Sequence, residues 1–164
     1  MICSAIGQDS HRFTEEAKPL ILGGHLIPGE AGLLANSDGD VVLHALTNAV
    51  SGVTGRNILG PVADALCQAG FTDSWVYLNE ALRDLQKAGG KILHVSFSVE
   101  AAAPRFFSQI PAIRQRVAGM LHLSPAHVGL TATSGEGLTA FGKGEGIQVL
   151  CLLTAQLPEE EETV

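Results

Sequence analysis

Asn36-Ser37-Asp38-Gly39-Asp40-Val41-Val42-Leu43-His44-Ala45-Leu46 joins a polar, glycine-bearing turn to the start of an apolar repeat. Val41, Val42, Ala45, Leu46, Ala49 and Val50 recur at helical spacing, so a helix is predicted to begin at a cap provided by Ser37 or Asp38. Gly52 or Gly55 would end it. His44 falls one turn after Asp40, so the two share a helix face and could aim an imidazole and a carboxylate into one pocket. Asp40 could then orient His44 from behind. The same turn opens a helix, where unpaired backbone N–H groups can hold an anion; simple capping explains Ser37 or Asp38 equally well.

Upstream, residues 2–13 alternate loosely and are predicted to form a strand. Side chains two apart on a strand share a face, so Asp9 and His11 project together while Ser10 points away. One carboxylate and two neutral imidazoles, Asp9, His11 and His44, make an open divalent-metal site with a position left for water or a substrate oxygen. The plain alternative is an ordinary Asp-x-His on a strand and a packed helical histidine. His25, His94, His122 and His127 have no comparable partners and count as background.

The rest of the chain supplies a scaffold. Pro19-Leu20-Ile21-Leu22-Gly23-Gly24 and His25-Leu26-Ile27-Pro28-Gly29 suggest a short strand, a loop, a return strand and a turn. Residues 56–72 are predicted as a loop with one helical turn. Asp73-Ser74 caps a helix carrying Val76, Leu78, Ala81, Leu82 and Leu85, stopped at Gly89-Gly90. Residues 91–100 alternate as a strand; Ser108 is predicted to cap a third helix through Ile110, Ile113, Val117 and Leu121. Strands Val128 to Thr133 and Ile147 to Thr154 flank a glycine-rich link. Strands interspersed with helices predict a single α/β domain with helices layered on a sheet, the sheet order left open.

Composition narrows the chemistry. Hydrophobic residues make up 46% of the 164 positions and aromatics 5%, so the core is aliphatic. The formal charge is −7, but Glu159 to Glu162 supply four negatives, leaving a mildly acidic body without a basic stripe for nucleic acid. Cys3, Cys67 and Cys151 form no CxxC pair, which fits a reducing compartment. No apolar run approaches a membrane span of about 20 residues, and the charged first twenty residues are unlike a signal peptide. A cytoplasmic protein is expected. No Gly-x-Ser-x-Gly elbow or Walker loop is present, so phosphate would be held by metal ions and local donors. Thr131-Ala132-Thr133-Ser134-Gly135-Glu136 offers hydroxyls for phosphate and a carboxylate for a hard cation, or is simply a turn. Gly142-Lys143-Gly144-Glu145-Gly146 permits close backbone approach and is equally readable as a structural turn.

In order, Asp9-Ser10-His11-Arg12-Phe13, Ile21-Leu22-Gly23-Gly24, Gly32 through Leu46 and Gly142 through Gly146 resemble the 2-C-methyl-D-erythritol 2,4-cyclodiphosphate synthases over nearly the whole chain. Ala101-Ala102-Ala103-Pro104-Arg105 and Ile110-Pro111 resemble that family's segment before and into its third helix. The resemblance implies one domain, residues 1–157, with a four-stranded mixed sheet, helices on one face and a small hairpin; residues 158–164 would be an acidic tail. It implies a homotrimer with sheets facing its axis and active sites between subunits. It further implies a phosphorus–oxygen lyase of non-mevalonate isoprenoid precursor synthesis. This enzyme would cyclise 4-diphosphocytidyl-2-C-methyl-D-erythritol 2-phosphate and release CMP.

By the same resemblance, Asp9, His11 and His44 hold zinc, and Glu136 holds a second Mg²⁺ or Mn²⁺ at the substrate diphosphate. Asn36 and Ser134 take the catalytic positions. Asp9, His11, Asn36, Ser37, Ala101, Ala103, Pro104, Arg105, Thr133, Ser134, Glu136 and Lys143 bind substrate, with Ala101 to Arg105 at the cytosine. Several positions depart from the family pattern. Asn36 stands for a histidine, Ser134 and Gly135 for two threonines, Lys143 for an arginine and Asn48 for an aspartate. The usual Asp-Ile-Gly and Phe-Pro-Asp loop is replaced by Asn57-Ile58-Leu59-Gly60-Pro61 and Val62-Ala63-Asp64. These departures leave two alternatives: the same chemistry on another diphosphate ester, or a non-catalytic trimeric relative binding a CDP-type nucleotide or an isoprenoid diphosphate.

Overall fold

A computed structural model describes residues 1–159. The predicted tail over 158–164 therefore falls mostly outside the described residues. The chain runs β1 (Ile2–Arg12), β2 (Pro19–Leu22), β3 (His25–Ala31), α1 (Val41–Thr54), α2 (Pro61–Gln68), α3 (Ser74–Lys87), β4 (Lys91–Glu100), α4 (Ile110–Leu121), β5 (Val128–Thr133) and β6 (Gly146–Gln156). Four strands form one sheet in the order β1-β6-β4-β5, and β2 pairs with β3 as a separate hairpin. β4 and β5 are parallel and the other pairs antiparallel, so the sheet is mixed, as the resemblance implied.

Register explains why the site forms at one end of this sheet. Asp9 lies opposite Val149, Val149 opposite Val99, and Val99 opposite Ala132, so the C-terminal ends of β1, β4 and β5 lie side by side. Cys3, Ala5, Gly7, Asp9 and His11 alternate inward along β1, toward the helix layer. α1 lies on that layer against β1, β6 and α3, buried around most of its circumference. Gly7 permits this seat: a Cβ there would run into the backbone of Ala45 and Ala49. Ile92, Val95, Phe97, Val99, Ile147, Val149, Cys151 and Leu153 fill the aliphatic core beneath. No helix among the described residues is long and apolar enough to cross a membrane.

Four sequence expectations need correction. The cap of α1 is Asp40, rather than Ser37 or Asp38. Asp40 is fully buried, and its carboxylate accepts from Val42 and Leu43 N–H and from Gly23 and Gly24 N–H at 2.8 and 2.6 Å. It therefore binds the hairpin turn to the helix start, which only the tertiary fold reveals. Residues 56–72 contain a two-turn helix, α2, opened by Pro61 at its first turn, where the missing N–H costs nothing. Ser108 does not cap α4: residues 107–109 form a 3-10 turn, and the helix starts at Ile110 with Pro111 in its first turn. Finally, β3 continues through Pro28 and Gly29 to Ala31, a position an edge strand tolerates.

Candidate metal centre and active site

β1 and α1 deliver the three expected ligands to one point. Asp9 Oδ2 lies 2.8 Å from His11 Nε2 and 2.9 Å from His44 Nδ1, and the two imidazole nitrogens are 3.1 Å apart. Around a four-coordinate divalent ion with bonds of about 2.0 Å, neighbouring ligand atoms stand about 3.3 Å apart. The observed triangle is slightly contracted from that, so the donor set fits a small divalent cation. Among the described residues this is the one cluster of three such ligands, and His25, His94, His122 and His127 join none.

The electrostatics follow from the same contacts. Burial opposes the charge on Asp9, but hydrogen bonds with His11 and His44 outweigh it and hold the carboxyl at about 2, below its ordinary 3.8. The Asp9 hydrogen bond raises His11 above its ordinary value, against the opposing effect of burial. Full burial pushes Asp40 up to about 6, with the N–H groups of Leu43, Gly24 and Gly23 pulling the other way.

Asp40 does not orient His44 through its side chain, because both of its oxygens are occupied by backbone N–H groups. Ser74 contacts the histidine instead. Its Oγ lies 2.9 Å from His44 Nε2, and Ser37 Oγ lies farther away, at 3.4 Å.

The triad opens into a pocket of about 370 Å³ lined also by Asn36, Ser37, Leu59, Gly60, Ala63, Asp64, Cys67 and Tyr77. The rewritten segment 56–72 thus folds as the outer wall of the metal pocket. Asn36 is exposed at its rim. A larger cavity of about 860 Å³ lies between the hairpin, the start of α3 and α4; Asp38 lines it, and none of the three ligands does.

The remaining predicted residues form a second group outside this pocket. Ala101 N–H donates to Thr133 O and Ala102 N–H to Phe141 O, holding the 101–105 segment against the end of β5. Pro104 is buried, while Ala103 and Arg105 are exposed. Thr133, Ser134, Glu136 and Lys143 are all exposed, and Ser134 Oγ donates to Glu136 Oε1 at 2.7 Å. Gly135 has φ +71°, and a Cβ there would stand 2.9 Å from Gly142 Cα as well as meeting the Glu100 carboxylate, so a threonine would be strained at this position. Glu145, beside Lys143, pairs with Arg12 at 2.7 Å.

The YgbB family profile matches residues 2–156. The chain belongs to the YgbB family. A Chlamydia felis relative, 2-C-methyl-D-erythritol 2,4-cyclodiphosphate synthase, is 51% identical over 152 residues, covering 91% of this chain and 86% of its own. A solved 2C-methyl-D-erythritol-2,4-cyclodiphosphate synthase is 34% identical with a TM-score of 0.82, covering 94% of this chain and 100% of that one. A CDP-bound form of such a synthase is 32% identical with the same TM-score and coverage.

For a YgbB protein, two contributors were not visible along the sequence. Gly7 looks like any strand glycine until α1 is laid on it. Ser74 looks like half of a capping pair, and nothing local signals that its hydroxyl reaches a histidine 30 residues earlier.

Proposed function

We propose that this YgbB protein catalyses the metal-dependent cyclisation of 4-diphosphocytidyl-2-C-methyl-D-erythritol 2-phosphate to 2-C-methyl-D-erythritol 2,4-cyclodiphosphate, releasing CMP. The convergence of Asp9, His11 and His44 carries this reading. The names of its relatives and the CDP held by a solved neighbour support it. The 2-phosphate oxygen forms a bond to the β-phosphorus, and the bond from that phosphorus to the bridging oxygen breaks, so CMP leaves with the electron pair. Zinc at Asp9, His11 and His44, with Mg²⁺ or Mn²⁺ near Glu136, supplies positive charge to the diphosphate when bound.

This chain's own groups then bind and orient. Asn36 donates its amide N–H to a phosphate oxygen at the pocket rim, and Ser37 adds a hydroxyl beside it. Thr133 and Ser134 grip the diphosphate, Ala101, Ala103, Pro104 and Arg105 frame the cytosine, and Lys143 contributes a point charge. Asn36 and Ser134 stabilise charge on the reacting phosphates.

Two exposed half-sites on one chain support a homotrimer with catalytic sites between subunits. Ile6, Leu150 and Leu152 are 71%, 42% and 48% exposed on the sheet face opposite the helices, with Ile6 directly across from Leu152. An apolar strip there calls for a partner and suits sheets packed about a central axis. Residues 1–157 act as the catalytic domain, with 158–164 a tail outside it. Three free cysteines fit a cytoplasmic setting.

CMP release from the cytidylyl substrate tests the proposal. Release that depends on a divalent metal and is abolished by His44→Ala supports it. CDP binding without turnover by the metal-loaded wild type contradicts it, and identifies a binding relative instead.

A further inference from the structure

We propose that Ser74 and Asp38 are positioning residues for the metal centre, setting the tautomer and ring direction of His44 through an Asp38–Ser74–His44 relay whose serine and histidine are buried. The proposal rests on the reading that the triad holds a divalent ion, and adds residues that act on the ligand from behind.

The single hydroxyl proton of Ser74 sets the direction of the relay. An ionised Asp38 can only accept, and Ser74 reaches it twice, from backbone N–H to Oδ2 at 3.0 Å and from Oγ to Oδ1. The serine hydroxyl has one proton, and that contact uses it. Ser74 Oγ therefore presents a lone pair to His44 Nε2, 2.9 Å away, so Nε2 must carry the proton. The other ring nitrogen, Nδ1, faces Asp9 Oδ2 and His11 Nε2 and, with Nε2 committed to Ser74, is the nitrogen whose lone pair is free to ligate an ion. A metal ligand needs that lone pair.

Burial makes the relay selective. Ser74 is 0% and His44 7% exposed, so water cannot readily replace the serine. Ser37 Oγ is the alternative partner of Nε2, but it is 3.4 Å away and also accepts from Gly39 N–H. Asp38 is itself held on both sides: its N–H donates to Thr72 O at 2.8 Å, and its Oδ1 accepts from Asp40 N–H at 3.0 Å. The relay thereby fastens the first residue of α3 to the loop before α1, with the ligand's imidazole between them. Partners of this kind around metal-bound histidines orient the ring and raise its basicity.

Zinc affinity, read by competition with a chromophoric chelator on the assembled protein, tests the proposal. Ser74→Ala and Asp38→Asn should each weaken zinc binding roughly 10- to 100-fold. In the zinc-loaded wild type, ¹⁵N-edited NMR should show His44 with an Nε2-bound proton protected from solvent exchange. Affinity within twofold of wild type in folded Ser74→Ala overturns the relay, as does a rapidly exchanging Nε2 proton in the wild type. The NMR arm needs no variant, so poor folding of a mutant leaves the test intact. Failure of wild-type protein to bind zinc overturns the metal reading itself, a different result from tight binding indifferent to Ser74.

Discussion

Substituting Gly7 by alanine probes how the fold makes the site. A Cβ at this position would collide with Ala45 O and Ala49 N and stand 3.0 Å from Ala49 Cα. Non-bonded carbons rest about 3.5–4.0 Å apart, so α1 must back away from β1 by roughly 1 Å. His44 precedes Ala45 and moves with the helix, whereas Asp9 and His11 stay on the strand. Ligand contacts of 2.8, 2.9 and 3.1 Å leave little room for that displacement. A misplacement of about 1 Å costs on the order of 100-fold in rate, and core overpacking costs about 1–3 kcal/mol of stability. Gly7→Ala is therefore expected to weaken zinc binding at least about tenfold and CMP release about 100-fold, with a modest loss in urea stability. Gly52→Ala is the control. Its added Cβ meets Ala5 Cβ at 3.2 Å, two turns beyond His44, so zinc affinity should be unchanged. Zinc affinity and turnover within twofold of wild type in Gly7→Ala would refute the claim that this close approach places His44.

Three further outcomes are expected. Asp40→Ala strips the acceptor from four N–H groups, at about 1–3 kcal/mol for each one left buried and unpaired, so urea denaturation should show a loss of at least about 3 kcal/mol; a change below about 1 kcal/mol contradicts the anchoring role. The Asp9 and His11 shifts act in opposite windows: the lowered Asp9 contributes stability above 3.8 that is lost as pH falls toward about 2, whereas the raised His11 contributes below 6.5 and loses it as pH rises through its folded value. Zinc must displace the His11 proton, so the gain in Tm from zinc should be larger at about pH 8 than at about pH 6, and an equal gain at both speaks against histidine ligation. Ile6→Lys places a charge on the exposed apolar strip, and sedimentation should show wild-type trimers giving way to smaller species; a monomeric wild type removes the basis for shared sites.

Much of this architecture can be read along the chain, because strand and helix periods are local. The alternation of β1 puts Asp9 and His11 on one face, and the apolar repeat after Asp40 puts His44 on a helix. What resists reading depends on distant partners. Asp38 and Asp40 are equally good caps by type, and the N–H groups of Gly23 and Gly24 decide which one turns inward. α2 is only eight residues long and begins Gly60-Pro61, a pair that marks a turn as readily as a helix start. The wall formed by Ala63, Asp64 and Cys67 was hidden with it. Ser74 was hidden for another reason: its role exists only once α3 is packed on α1.

Cyclisation at a metal-loaded Asp9–His11–His44 centre joins the fold to the chemistry. ³¹P NMR of the zinc- and magnesium-loaded protein with 4-diphosphocytidyl-2-C-methyl-D-erythritol 2-phosphate tests it most directly. Loss of the substrate resonances is expected, with equal growth of a cyclic diphosphate and CMP, halted by a chelator. Unchanged substrate, or CMP accompanied by an open-chain phosphate from attack by water, would contradict it.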